Sequence, residues 1–556
     1  MSKRRAAWFA VVVLVVALAG VAAGCSSTSS TTTTAGGAGT TQASTATTGA
    51  ASTLAADQTM TVNISTEPPS LDPNIATDTT SALVINNIFE GLTRMQPDGT
   101  VIPGLAEKWD VSADGLTYTF QLRGTDKWSN GDVVTSQDFK NSWTRILDPK
   151  TAGEYAYELF YIKGATEFNS GKGTADQLAI DATDPKVLKV TLTSKVPWFA
   201  GLMAHQAYFP IPLKTVQQFG EKWTEPANIV TCGPFKLTSW NHGSDLTLTK
   251  NPDWRDASKV VINTIKMVMI TEATTGVAAF ENGEIDVQED LPVADIDRLK
   301  TLPEYKVFPM LGDYYLGFNI KNPALSKVEV RKALGMAIDR QAIIDNVLKQ
   351  GQKPATGFAP EGLPGYSTWH KDFWPATADV AQAKQLLASA GYPDGAGLPE
   401  ITILYNTSES HKAIMEAIQE QWKAIGVKSV LKNMEWKQYM AFLPKDPSVQ
   451  VYRMGWIADY NDAENFFGLL TTDSGNNYTR WSDPTYDSAL KGSLDAATDA
   501  DRWATYATLE QTLFDQVPVT PIYFYTNPDL VKTYVEGWAP NSMSFTNLET
   551  IKILKH

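Results

Sequence analysis

Cysteine is nearly absent. Cys25 and Cys232 are the only two in 556 residues, so at most one disulfide could form and a disulfide-stapled scaffold is excluded. Five histidines, His205, His242, His370, His411 and His556, are scattered and lack the close pairing of zinc-enzyme motifs; neither a metal nor a cofactor is expected. No G-x-S-x-G elbow occurs. Gly171-Lys172-Gly173-Thr174 fails as a phosphate loop, because no Ser or Thr directly follows its lysine and the upstream glycine is missing. With Asp, Glu and Ser abundant, carboxylate pairs prove nothing without geometry, so the reading is that of a non-enzyme. Positive charge is short as well: 47 Lys and Arg stand against 61 Asp and Glu, a net charge of −14 with no block of like charge. An acidic chain without a basic stripe is a poor nucleic-acid binder. No repeat with a period of 20–50 residues organises the chain.

What is present is a large globular protein. At 43% hydrophobic and 10% aromatic the chain can bury large cores, and about 150 residues per domain gives three or four domains or lobes. Lys3, Arg4 and Arg5 precede an apolar run over 6–21, then Ala22-Ala23-Gly24-Cys25. Charged, apolar and small-residue regions in that order read as a secretory signal, and the run is too short for a membrane span. Ala-Ala-Gly before a cysteine resembles the bacterial lipoprotein box, in which Cys25 is acylated and becomes the mature N-terminus. The usual residue at position 22 is a larger aliphatic, and an ordinary signal with an incidental cysteine is the alternative. Residues 26–56 hold 17 Ser or Thr among 31 and one large aliphatic, Leu54. They cannot bury enough apolar surface to fold, and read as a tether. The protein is therefore expected on the outer face of the cytoplasmic membrane, lipid-anchored.

From Thr59 onward β-rich runs alternate with helical stretches. Strands are predicted over 60–64, 117–122, 187–192, 246–249, 262–269, 316–320, 401–405, 428–432, 449–453 and 519–525. Helices are predicted over 80–89, 136–146, 328–348, 380–390, 410–424 and 500–516. Strands separated by helices indicate α/β lobes.

Several stretches resemble the family 5 extracellular solute-binding proteins, specifically the oligopeptide-binding proteins of ABC importers. They are Pro69-Ser70-Leu71-Asp72-Pro73 with Phe89-Glu90-Gly91-Leu92; Pro103-Gly104-Leu105-Ala106 with Trp109; Lys127-Trp128-Ser129-Asn130-Gly131; Thr231 leading into Gly233-Pro234-Phe235; Asn251-Pro252-Asp253-Trp254; Gly283-Glu284-Ile285-Asp286; and Val330-Arg331-Lys332-Ala333-Leu334. The resemblance covers 59–556. It implies a two-lobed periplasmic-binding-protein-like fold, type II, cluster C, with an extra inserted domain. Its boundaries would be a signal peptide at 1–24, a lipidated tether at 25–56, lobe I at 57–90, 215–310 and 525–556, the extra domain at 91–214 and lobe II at 311–524. Chain crossings near Leu311 and Tyr525 would form the hinge, so that the lobes close on ligand. The implied partners are an oligopeptide, an ABC permease with its ATPase subunits, and the membrane through the lipid; the protein would be a monomer.

The resemblance also implies site residues. In Arg453-Met454-Gly455-Trp456-Ile457-Ala458-Asp459-Tyr460-Asn461, the aspartate matches one that pairs with a peptide's α-ammonium, and the arginine one that reaches its carboxylate. The local alternative for Asp459 is a turn cap. His411 matches a histidine that can meet the carboxylate of a longer peptide, or is a surface histidine at a helix start. Tyr155 matches a cleft tyrosine, and Thr77, Asp78 and Thr79 a loop alongside the peptide backbone. Trp436 and Trp456 match aromatics near the side-chain pockets; Trp436 is equally readable as core. A disulfide that joins the segments around Gly312 and Ile457 in relatives is missing both cysteines here, so Cys232 reads as a buried free thiol. Thr77 stands where a relative has an acid, and Leu348 where one has a lysine. The alternatives to a peptide receptor are a relative for nickel chelates or oligosaccharides, a secreted hydrolase, and an adhesive lipoprotein.

Overall fold

The structure, a computed structural model, describes residues 54–496 and 498–556. Cys25 and all but the last three residues of the 26–56 segment therefore lie outside the described residues. Thr53–His556 forms one compact unit. Pairing starts at Leu54, which bridges Leu554, and the Ala55 N–H donates to Ile553 O at 2.8 Å. The first strand among the described residues is Thr59–Asn63.

Three main sheets carry the unit. The largest runs Tyr305–Phe308, Asn527–Val531, Val287–Gln288, Thr59–Asn63, Thr264–Val268, Asp245–Lys250 and Phe235–Asn241, in that spatial order. Its centre is parallel, with Val62 in register with both Met267 and Val287. A six-stranded sheet runs Lys353–Pro354, Val519–Phe524, Gly312–Phe318, Val451–Ile457, Ile401–Asn406 and Ser429–Met434. A four-stranded antiparallel sheet is built from Ala106–Val111, Thr117–Leu122, Val187–Thr191 and Ile180–Asp181. The chain passes between the two large sheets at 309–311 and again at 525–526, and the two passages touch where the Tyr525 N–H donates to Gly312 O at 3.0 Å.

Local chemistry sets the element ends. The helix Glu409–Lys423 starts where Ser408 Oγ accepts the His411 N–H, and it buries Ile414, Met415, Ile418 and Trp422 along one face, the spacing of an amphipathic helix. The single helix expected over 328–348 is instead Val328–Met336, then Arg340–Ile343 running into a π-helical turn at Ile344–Leu348. Asp339 causes the break: its side chain accepts the Ala342 N–H at 2.8 Å and caps a new helix. Arg340, just inside that cap, is fully buried and satisfies four backbone carbonyls, from Gly335, Ile338, Pro375 and Pro521.

Gly312 and Ile457 are direct register partners. Cys232 is a free thiol, 3% exposed, and burial raises its pKa well above the ordinary thiol value. Because the thiolate is the nucleophile, iodoacetamide is expected to leave Cys232 unmodified in the native protein and to alkylate it after unfolding, read by mass mapping of the peptide that contains it. Native labelling at the unfolded rate would contradict this burial.

Candidate functional site

The strand Val451–Ile457 sits in the middle of its sheet, antiparallel to Gly312–Phe318 and parallel to Ile401–Asn406. Its end and the residues after it, Arg453 to Asp459, form one wall of a cavity of about 170 Å³. One water needs only about 10–15 Å³, so the space suits a larger ligand. Thr77, Asp78 and Thr79 line it as well, with Tyr155 and His205 beside Asp459 and Tyr525 beside Arg453.

Asp459 is 8% exposed and its carboxylate is held by donors. Tyr155 Oη donates to Oδ1 at 3.1 Å, His205 Nε2 lies 3.1 Å from the same oxygen, and Asn465 Nδ2 donates to Oδ2 at 3.0 Å. Asn465 also fixes the backbone, accepting the Asp459 N–H at 2.9 Å and the Trp456 Nε1–H at 3.0 Å. His205 Nδ1 accepts the Ala207 N–H at 3.4 Å, which leaves Nε2 as the proton-bearing nitrogen toward Asp459. A carboxylate accepts about four hydrogen bonds. Three are made within the protein, so one lone-pair position, on Oδ2, remains for a donor in the cavity.

Arg453 is likewise 8% exposed, and its partners are neutral. Nη1 donates to Asn406 Oδ1 at 3.2 Å, Nη2 to Tyr525 Oη at 2.6 Å, and the guanidinium lies 4.4 Å from the Tyr314 ring centre. Its Nε has no protein partner. Three more buried polar atoms on the lining are in the same condition: Asn86 Oδ1, Gln206 Oε1 and Asn476 Nδ2. Buried polar groups are normally paired, so this lining presents two donors and two acceptors to whatever it holds.

Eight of the nine predicted site residues, Thr77, Asp78, Thr79, Tyr155, Trp436, Arg453, Trp456 and Asp459, line this cavity. Asp78 is also structural, because its Oδ1 accepts the Ser81 N–H at 2.9 Å and caps the helix Thr79–Ile88. His411 is the exception. It is neither on the lining nor on an open surface; its Nδ1 lies 3.4 Å from Tyr314 Oη, and burial, with the Arg453 charge, pushes its pKa well below the ordinary imidazole value. Tyr314 separates it from the cavity because the same ring stacks under Arg453. Sequence reasoning missed His205, Asn465, Asn406 and Tyr525. His205 was visible only as one scattered histidine, and nothing at position 465 signals a bond to 459.

Residues 100–478 match the family model for bacterial extracellular solute-binding proteins, family 5. The chain belongs to that family. Among family 5 solute-binding proteins, the oligopeptide-binding protein OppA of Bacillus subtilis is 40% identical over 481 residues, covering 84% of this chain and 88% of the relative. The fold is the two-lobed α/β fold of periplasmic binding proteins. The OppA of Haemophilus influenzae in complex with the peptide RPPGFSPFR superposes with a TM-score of 0.85 at 33% identity, covering 90% of this chain and all of that one. The unliganded open form of the murein tripeptide binding protein MppA, at 35% identity over 90% of this chain and 98% of that one, reaches only 0.61. The lobes here thus take an arrangement nearer the complexed relative than the open one.

Proposed function

We propose that this chain is a lipid-anchored oligopeptide receptor that delivers its cargo to an ABC permease. The observation that carries the reading is the pair of opposite charges on one short stretch. Asp459 and Arg453 are both buried, each with hydrogen-bonding capacity left over and neither within ion-pair distance of an Asp, Glu, Lys or Arg partner, and buried polar donors and acceptors lie in the lining beside them. An extended peptide fits this pattern. Its ammonium would take the open position on Asp459, its backbone N–H and C=O groups would meet the unpaired lining atoms, and its carboxylate would approach Arg453 through charge-assisted bonds. Backbone recognition of this kind tolerates any sequence. A neutral sugar would leave both charges unmatched. His411 has no direct role in this reading.

The seven-stranded sheet would belong to lobe I, the six-stranded sheet to lobe II and the four-stranded sheet to the extra domain, with the passages at 309–311 and 525–526 as hinge. Tyr525, in the second passage, bonds Arg453, so ligand at Arg453 would act on the hinge itself. Acylation of Cys25 would hold the protein at the outer face of the membrane.

The test is thermal unfolding with pools of tri- to pentapeptides, beside the same pools N-acetylated. Ligand at 100 times its Kd stabilises by about 2.7 kcal/mol. Stabilisation by free but not by acetylated pools is expected; no response to either would overturn the reading.

A further inference from the structure

Behind the cavity lies a buried acid that no part of this reading uses. Glu158 is 2% exposed and neither carboxylate oxygen has a partner within hydrogen-bond distance, the Tyr157 hydroxyl being the neighbour that favours its ionised form. It sits on the 3-10 helix Glu154–Tyr161, beside the four-stranded sheet, and faces Asp459 and Glu464, which follow the strand Val451–Ile457 of the other large sheet. The two sides meet through side chains: Tyr155 on Asp459, Tyr161 Oη on Glu464 Oε2 at 2.5 Å, Tyr161 Oη to Tyr460 Oη at 3.1 Å, and Trp198 stacked on Tyr460 with ring centres 5.5 Å apart. Three carboxyl groups are therefore enclosed where these two parts of the chain join.

We propose that Glu158 is a specificity-determining residue of the peptide site: with Asp459 and Glu464 it makes closure conditional on positive charge, so that the site closes only with a cation on Asp459 and a proton taken up by the Glu158–Glu464 pair. The inference rests on the peptide reading for the identity of the cation and on lobe closure for the encounter of the three groups. Like charges brought together in a poorly solvated space cannot all stay ionised.

The surroundings compensate Glu464 in part, through hydrogen bonds that the Tyr161 and Tyr460 hydroxyls donate to it, and Glu158 much less. Around Glu158 and Glu464 stand Tyr155, Tyr157, Tyr161 and Tyr208 from one side, and Tyr460, Asp462, Tyr486 and Tyr506 from the other. Two basic side chains are near. His205 donates to Asp459. Arg502 is engaged elsewhere, 3.4 Å from Asp462 and 3.0 Å from Asp499, with its guanidinium 5.4 Å from the Trp198 ring. Burial raises the Glu158 pKa well above the usual carboxylate value, with the Asp459 and Glu464 charges adding to it, and burial pushes Glu464 up to about 7. In an open form both would titrate near 4.3. The closed form then binds more protons than the open one between about pH 4.3 and 7, so closure and affinity are favoured as pH falls through 7 and lose that support as it rises.

The experiment is isothermal titration calorimetry of trialanine into the full-length protein at pH 6.5, in buffers of different ionisation enthalpy, together with solution scattering of the unliganded protein at pH 6 and pH 8. We expect uptake of about one proton per peptide, reduced by at least half in Glu158→Gln, whose affinity at pH 8 should rise about tenfold. Without ligand, Glu158→Gln should have a smaller radius of gyration than the wild type at pH 8. Peptide binding without proton uptake, or with uptake unchanged in Glu158→Gln, overturns the inference and leaves the peptide reading standing. Absence of trialanine binding counts against the peptide reading, and the radii then decide the inference: equal radii for variant and wild type at both pH values overturn it.

Discussion

Asp459→Ala is expected to weaken binding of a free tripeptide by about two to three and a half decades. Removing one partner of a buried ion pair costs about 3–5 kcal/mol, and each decade of affinity is about 1.4 kcal/mol. The upper part of the range applies because Asp459 is enclosed and three donors, from Tyr155, His205 and Asn465, are already oriented on it. In the variant all three would face an apolar methyl while the ligand ammonium found no anion. Asparagine would not rescue. Its amide group must face either the Asn465 Nδ2 and the ammonium or the His205 Nε2–H, donor against donor in both orientations, and neither orientation carries the charge that the ammonium needs. Titration calorimetry checks the loss, and a second readout separates it from general damage: the preference for free over N-acetylated peptide should vanish in Asp459→Ala. The unliganded variant should melt within a few degrees of the wild type, because the side chain lies at the cavity wall. A variant that still prefers free peptides would show that the ammonium is bound elsewhere.

How the sequence relates to the structure differs between the framework and the site. Strongly patterned elements were legible: the strand Thr117–Leu122 lies where alternation places it, and the helices Ser136–Leu147 and Asp499–Gln516 start and end within a residue of their periodic runs. Phe235–Asn241 and Asn527–Val531 were not. The first carries a register irregularity between Leu237 and Ser239 that disrupts its alternation. The second contains Pro528 and Asp529, residues that argue against a strand, yet Asp529 is fully buried and accepts the Trp538 Nε1–H at 2.9 Å. Tertiary partners far along the chain overrode local preference in that case. The site divides similarly. Arg453, Trp456 and Asp459 fall within nine consecutive residues and could be recognised as a motif. His205 reaches Asp459 across 254 positions, and Asn465 supports it from the short helix Glu464–Gly468; only the folded chain brings them together. For His411, whose match left a ligand role and a surface role open, the sequence says nothing of the Tyr314 ring that it packs against.

The short stretch near the start of the unit, Ser70 to Asp78, makes a second strong prediction: Asp72→Ala should lower the melting temperature by about 3–8 °C and weaken ligand binding at the same time. Asp72 is 6% exposed. It takes both ends of the Arg145 guanidinium, Nη1 on Oδ1 at 2.9 Å and Nη2 on Oδ2 at 2.7 Å, while Trp223 Nε1 donates to Oδ2 and the Asn74 N–H to Oδ1, each at 2.9 Å. Bidentate pairs of this kind are among the stronger side-chain interactions. The side chain of Arg145 keeps 21% exposure, so water softens its loss; the Trp223 indole, 1% exposed, has no such recourse. Together these place the cost toward the lower half of about 3–5 kcal/mol, and about 1–2 °C per kcal/mol suits a unit of this size, by extension of the trend in smaller domains. The binding effect follows from connectivity. Asp72 O accepts the N–H groups of Ile75 and Ala76, Ala76 O accepts Gln206 Nε2 at 2.9 Å, and two residues on Asp78 caps the helix whose first residue, Thr79, lines the cavity. Loosening Asp72 therefore releases the wall formed by Thr77, Asp78 and Thr79. Asp72→Asn should do no better, because its amide would point a donor at Arg145 or Trp223. The double variant Asp72→Ala with Arg145→Met should be no less stable than Asp72→Ala alone, since it also removes the charge left without a partner. A melting temperature within 1 °C of the wild type in Asp72→Ala would mean that the pair contributes position without stability.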